Sequence, residues 1–147
     1  MQRRTSQDIR YYGWMLVLRA SHKMVKAREK ELVPYEISPR QAQVADELYH
    51  LGNKATLAEL AAHTERGVSA LSNQLTRMEK NGLVKKTRHN LKSVLKKFEL
   101  TEKGIIAREN SLKKTSINKI MSVLSDEELQ QLILMLNKLI NEAENIT

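Results

Sequence analysis

The run GVSALSNQLTRMEKNGLVKK, residues 67–86, places small polar and basic residues between apolar residues at helical spacing. Val68, Leu71, Leu75 and Met78 recur at intervals of three and four residues, the spacing of one face of an α-helix. Steps of about 100° per residue then place a second set of residues on the far side of the same helix. That far side carries Ser69, Ala70, Asn73 and Arg77.

The far side has the chemistry for contacts with the edges of DNA bases. Small residues let a helix lie deep in the major groove, and Ala70 can contact a thymine methyl group. Asn73 can pair with the edge of adenine, and Arg77 can bind guanine or a phosphate. Ser69 and Ser72 are further candidates for phosphate or base contacts. Each of these residues also suits an ordinary solvent-exposed face, so the DNA interpretation depends on their combination.

A second candidate site lies in residues 84–98, where basic residues cluster without any acidic residue. The runs LVKKT and SVLKKFEL are compatible with β-strands, so we expect a basic hairpin. Such a hairpin favours phosphate contacts, and its tip suits a narrow minor groove. The alternative is a solvated edge hairpin that lysines protect from aggregation. The hairpin residues that we expect at DNA are Lys86, Arg88, His89 and Lys92.

The charge of the chain is unevenly distributed. The net charge is +8, with +6 in residues 1–30, −4 in residues 31–65, +10 in residues 66–119 and −4 in residues 120–147. The larger positive segment contains both candidate sites, which favours a polyanionic partner. A basic face that only keeps the protein soluble is the alternative.

Several function classes lack their sequence signals. The absence of cysteine excludes disulfides and thiolate metal sites and favours a reducing compartment, the cytoplasm. The apolar run YYGWMLVL is too short to span a membrane. The four histidines lack metal-ligand spacing, and there is no phosphate-binding glycine loop, nucleophile elbow or H-E-x-x-H motif. We therefore predict no catalytic residue, no metal site and no cofactor.

The elements that must position the candidate sites are mostly helices. A periodic apolar pattern predicts a first helix over residues 6–32. One continuous helix is expected from Glu102 to Leu124. Three further helix starts show a capping box, in which serine or threonine precedes glutamine or glutamate by three positions. These pairs are Ser38 with Gln41, Thr56 with Glu59, and Ser125 with Glu128.

The first and last helices each carry a long apolar stripe. The two stripes can pack against each other within one chain or lie in the interface of a two-fold homodimer.

The segments LAELAAHTERGVSALSNQLTRMEKNGLVKK and FELTEKG resemble the MarR family of winged helix-turn-helix transcriptional regulators. The family pattern is L-A, a turn, a serine/threonine-rich recognition helix, L/M-E-x-x-G-L-V, a wing and L-T-x-x-G. This chain matches it over residues 56–104. At the turn, however, it has Thr64-Glu65-Arg66 where the family commonly has a leucine-glycine pair.

The resemblance implies a mainly α fold with a small β-hairpin. The DNA-binding lobe would span residues 38–100, and residues 6–32 and 101–146 would form a helical dimerisation region. The resemblance further implies a homodimeric repressor that binds a pseudo-palindromic operator in double-stranded DNA. The alternative function is an architectural nucleic-acid-binding or protein-interaction module, whose binding would depend on salt and not on sequence.

Many members of the family are repressors that a small phenolic or anionic ligand releases from DNA. By resemblance, a ligand pocket would involve Tyr12, Met15, His22 and Tyr35. Aromatic residues at the start of the first helix equally suit packing in a dimer interface.

Overall fold

The computed structural model describes residues 6–64, 66–88 and 96–147. The fold is mainly helical with one small antiparallel sheet, which confirms the predicted fold class. The elements in chain order are α1 (Ser6–Leu32), a 3₁₀ turn (Val33–Tyr35), α2 (Pro39–His50), β1 (Lys54–Thr56), α3 (Leu57–Thr64), α4 (Val68–Lys80), β2 (Val84–Arg88), β3 (Lys96–Leu100), α5 (Glu102–Ser111), α6 (Thr115–Met121) and α7 (Asp126–Ile146).

The chain forms two compact units, of which the first ends at Lys113 and the second begins at Lys114. The first unit contains α1 to α5 and the sheet, and its core gathers side chains from α2, α3, α4, β2, β3 and α5. The second unit contains α6 and α7. Within the described ranges, no helix is long and apolar enough to cross a membrane.

The predicted capping boxes are present at the starts of α2, α3 and α7. At α2, the Ser38 hydroxyl accepts from the Gln41 amide at 3.1 Å, and the Gln41 side chain accepts from the Ser38 amide at 3.1 Å. The pairs Thr56 with Glu59 and Ser125 with Glu128 form the same reciprocal bonds. These bonds satisfy N–H groups that a helix start leaves without a partner, so the sequence determines these starts locally.

The sheet has three strands, in the order β1-β3-β2, and not the two of the predicted hairpin. Residues Lys54 to Thr56 pair antiparallel with β3, and Ala55 lies opposite Phe98. Three residues are too few to show the alternating pattern of a strand. The pairing is also long-range, so β1 arises from tertiary structure.

The predicted continuous helix from Glu102 to Leu124 is wrong, because α5 ends at Ser111 and α6 begins at Thr115. Between them Lys114 has a φ of 49°, in the left-handed region. A left-handed residue ends regular helical hydrogen bonding, although the apolar residues on both sides keep a roughly helical period.

The start of α5 is packed tightly against the base of β2. The Thr101 hydroxyl accepts from the Gly104 amide at 3.0 Å, and the Thr101 amide donates to the Leu83 carbonyl at 3.0 Å. A Cβ atom on Gly104 would lie 2.1 Å from the Leu83 carbonyl oxygen and 3.2 Å from the Leu100 side chain. Only glycine permits this approach of α5 to the sheet.

We predict that Gly104→Ala destabilises the first unit by about 1–3 kcal/mol, because backbone atoms must move to admit the methyl group. Gly13→Ala is the matched control, since nothing lies within 4 Å of a Cβ at this position of α1. That control should stabilise the protein by roughly 0.5–1 kcal/mol. Thermal unfolding measures both changes, and equal melting temperatures for Gly104→Ala and the wild type would contradict the packing of α5.

Candidate nucleic-acid interface

Helix α4 is held in the first unit by one apolar side. Leu71, Leu75 and Met78 are fully buried, and α4 packs against α3 and β2. The preceding helix, α3, ends at Thr64, so a short turn separates two helices that share one core. This is the arrangement of a helix-turn-helix, with α4 as its second helix.

The opposite side of α4 lies in solvent. Ser69, Ala70, Asn73 and Arg77 are exposed, as the helical spacing predicts, and Ser72 is half-buried. Ser69, Asn73 and Arg77 follow one another at intervals of four residues and span about 12 Å along the helix. Among the described residues, neither Asn73 nor Arg77 has a side-chain hydrogen bond or ion pair, so both are available to a ligand.

Two more side chains share this face and were not singled out from the sequence. Thr76 and Lys80 are exposed, and the Thr76 hydroxyl donates to the Ser72 carbonyl at 3.0 Å. The same 100° arithmetic places both residues close to Ser69, so the signal was present in the sequence. Conversely, Val68 was predicted in the apolar face but is 55% exposed, because the first residue of α4 extends beyond the core.

The strands that follow α4 carry several cations, some of them already paired. Lys86 lies 3.7 Å from the carboxylate of Glu79, whereas Lys54 and Lys85 both approach Glu99, at 3.8 and 3.9 Å. Arg88 is exposed at the end of β2. His89 and Lys92, which were predicted at the tip of the hairpin, lie outside the described residues.

The turn between α3 and α4 contacts the earlier helix α2 through Arg66. Its guanidinium donates to the side-chain oxygen of Gln43, and its amide donates to the Thr64 hydroxyl at 3.3 Å. Glu47, one turn after Gln43 on α2, has a side-chain oxygen that is buried and has no hydrogen-bond partner in the described structure. Burial raises the pKa of Glu47, Arg66 and then His63 oppose this shift, and Asp46 adds to it.

The residues predicted to line a ligand pocket are not all brought together. Tyr12, Met15 and His22 are exposed on α1. Tyr35 instead lines an open cleft of about 390 Å³, and its hydroxyl accepts a hydrogen bond from the Lys113 ammonium at 3.3 Å. The other residues of the cleft are Pro34, Glu36, Glu102, Lys103, Ile106, Ala107 and Asn110.

The part of the chain that the structure describes contains no cluster of three histidine or acidic residues able to hold a metal ion. The exposed side of α4 carries hydroxyl, amide and guanidinium groups, which suit base edges and phosphates.

Comparison with known proteins finds a match to one family model. The model of the MarR family matches residues 35–91. The chain is 25% identical to the organohalide-sensing transcriptional regulator RdhR, solved with 2,4-dichlorophenol, with a TM-score of 0.87 over 100% of this chain and 90% of RdhR.

Two further solved structures are complexes with DNA. MepR of S. aureus is 25% identical, with a TM-score of 0.74 over 88% of this chain and 96% of MepR. A mutant of E. coli MarR bound to operator DNA is 20% identical, with a TM-score of 0.73 over 85% of this chain and 91% of that protein. No curated protein sequence matches the chain significantly.

Proposed function

We propose that this chain is a transcriptional regulator of the MarR family, whose model matches residues 35–91, and that it binds double-stranded DNA sequence-specifically through α4. The exposed row of Ser69, Asn73 and Arg77, on a helix whose other side is buried, carries the proposal. MepR and E. coli MarR, which share the fold, have been solved with DNA. The same part of the chain, residues 66–119, has a net charge of +10.

We expect α4 to contact bases and phosphates. The wing, which is the hairpin of β2 and β3, would contact phosphates or the minor groove. Asn73 and Arg77 would bind base edges in the major groove, with Ala70 against a thymine methyl and Ser69 and Ser72 on bases or phosphates. Of the predicted wing residues Lys86 and Arg88, Arg88 is the better placed for a phosphate, because Lys86 is already close to Glu79. His89 and Lys92 stay predicted wing contacts. Binding in the cytoplasm to an operator near a promoter would exclude RNA polymerase, so we propose a repressor and not an enzyme.

We predict that Asn73→Ala and Arg77→Ala each weaken operator binding by roughly 1–3 kcal/mol and relax the preference at the base pairs they contact. Binding to selected and scrambled duplexes, by fluorescence anisotropy at fixed salt, measures the effect. Asn118→Ala, an exposed asparagine of α6, is the matched control and should bind as the wild type does. An unchanged sequence preference in both α4 variants, with only the salt dependence altered, would favour the architectural alternative.

The regulator is proposed to act as a homodimer. Both α1 and α7 expose many large apolar side chains, among them Trp14, Leu18, Ile133, Leu139 and Ile140. An exposed apolar surface of this extent marks an interface. A two-fold dimer would present two copies of α4 to successive major grooves, about 34 Å apart. In this proposal residues 38–100 bind DNA, and residues 6–32 and 101–146 contribute to dimerisation.

We predict that Leu139→Glu raises the dissociation constant of the dimer on the order of 100-fold, because a carboxylate would be buried in an apolar interface. Analytical ultracentrifugation over a concentration series measures it. Asn141→Asp adds the same charge about 160° around α7 from Leu139, at an exposed residue, and serves as the control. If Leu139→Glu sediments as the wild type does, α7 lies outside the interface.

The cleft beside Tyr35 is proposed as the effector site, and the class of effector follows from RdhR, which was solved with a chlorinated phenol. Its walls include the Tyr35 ring, Ile106 and Ala107, which suit an apolar ring, and charged groups lie at its edge, where Lys103 is 3.5 Å from Glu36. Tyr12, Met15 and His22 lie on α1, outside this cleft.

We predict that Ile106→Trp fills the cleft and abolishes release of operator DNA by 2,4-dichlorophenol, the probe to be titrated. Val123→Trp, at a residue that is 80% exposed, is the control for the added ring and should respond as the wild type does. A wild type that stays on DNA would refute this class of effector. An Ile106→Trp variant that is still released would place the effector elsewhere.

A further inference from the structure

We propose that Arg66 is a positioning residue for DNA recognition, because its bond to Gln43 of α2 sets the direction in which the first turn of α4 projects. The inference rests on the proposed function of α4. It concerns the turn where this chain has Thr64-Glu65-Arg66 in place of the common leucine-glycine pair.

The first turn of α4 has few contacts of its own. Gly67, its N-cap residue, has no side chain to cap the helix, and Val68 is 55% exposed. Ser69 and Ala70 are exposed as well, so the first buried side chain of α4 is Leu71. The residues that would lie deepest in the major groove therefore depend on the preceding turn for their position.

Arg66 supplies a directional contact at this turn. The guanidinium donates to Gln43, 23 residues earlier in the chain, and the amide of the same residue donates to the Thr64 hydroxyl. Side chain and backbone of one residue thus connect α2, the end of α3 and the start of α4. Apolar packing of Leu71 and Leu75 is non-directional, whereas a guanidinium–amide bond has a defined geometry.

The carboxylate of Glu47 on α2 also stabilises the observed position of Arg66. Gln43 and Glu47 are four residues apart, so they lie on the same face of α2. Glu47 has a buried carboxylate oxygen without a hydrogen-bond partner among the described residues, and Arg66 is the strongest of the positive influences that lower its pKa. Replacing Arg66 by a neutral residue would leave that carboxylate less compensated and would favour a rearranged turn.

The competing role for the same guanidinium is a phosphate contact, and the dependence of binding on salt separates the two. A lost phosphate contact lowers the slope of log K against log salt by about 0.9 and weakens all duplexes alike. A lost positioning contact lowers the ratio of operator binding to non-specific binding and leaves the slope unchanged.

The experiment uses the full chain and measures operator and scrambled duplexes across a salt series. We expect Arg66→Gln to lower the specificity ratio about tenfold at an unchanged slope, because a displaced helix start weakens its contacts with base edges. Lys138→Gln, at an exposed cation of α7 outside the positive segment 66–119, is the matched control and should change neither quantity. A salt slope lowered by about 0.9, the value for one phosphate contact, or an unchanged specificity ratio would overturn the proposal.

Two further variants test the assignment of the partners. Gln43→Ala should also lower the specificity ratio. Adding it to Arg66→Gln should have no further effect, since both substitutions remove the same hydrogen bond. Adding Glu47→Gln to Arg66→Gln should restore part of the ratio, because the uncompensated carboxylate is gone. Additive losses from Gln43→Ala and Arg66→Gln would also overturn the proposal.

Hydrogen exchange in the free protein separates this inference from the proposed function. The amide of Leu71 donates to the Gly67 carbonyl at 3.1 Å and reports on the first turn of α4. Its exchange should be about tenfold faster in Arg66→Gln and Gln43→Ala than in the wild type and Lys138→Gln. Unchanged exchange refutes the positioning role, whereas a wild type without operator preference refutes the proposed function alone.

Discussion

The burial of Leu71, Leu75 and Met78 is the interaction on which the interface depends. Each of these side chains stabilises the fold by roughly 1.5–3 kcal/mol when it leaves water. Because they occupy one side of α4, their burial determines which residues remain in solvent on the other side. Asn73 and Arg77 are therefore exposed as a consequence of packing, and the helix that presents them is packed against the core from Leu71 to Met78.

The base of the wing is determined by a different constraint, the close approach of α5 to the sheet. Gly104 brings α5 against the Leu83 carbonyl, while Thr101 satisfies the amide that starts the helix. The strands meanwhile pair part of their positive charge, with Glu79 and Glu99 near three lysines. The positive potential of this region is therefore weaker than the number of its lysines suggests. Arg88 is more available to an anionic ligand than Lys86 is.

The start of α4 has little stabilisation from either apolar packing or helix capping. Apolar packing begins only at Leu71, and Gly67 cannot cap the helix. The hydrogen bond from Arg66 to Gln43 of α2 connects this segment to the rest of the first unit, next to the buried carboxylate oxygen of Glu47. A hydrogen bond of this kind has a defined geometry, and few other groups position the first turn of α4, which is the part proposed to lie nearest to DNA.

Local interactions were readable from the sequence alone. The capping boxes at Ser38, Thr56 and Ser125, the bounds of α1 and the exposed side of α4 depend on residues three or four positions apart. The sequence by itself therefore determined most of the helices and which side of α4 is exposed, but not the separation of α5 from α6. Only tertiary structure decided the pairing of β1 with β3, the exposure of Val68, the approach of Lys86 to Glu79 and the bond from Arg66 to Gln43. Each of these depends on where a second element lies in space, which no period along the chain encodes.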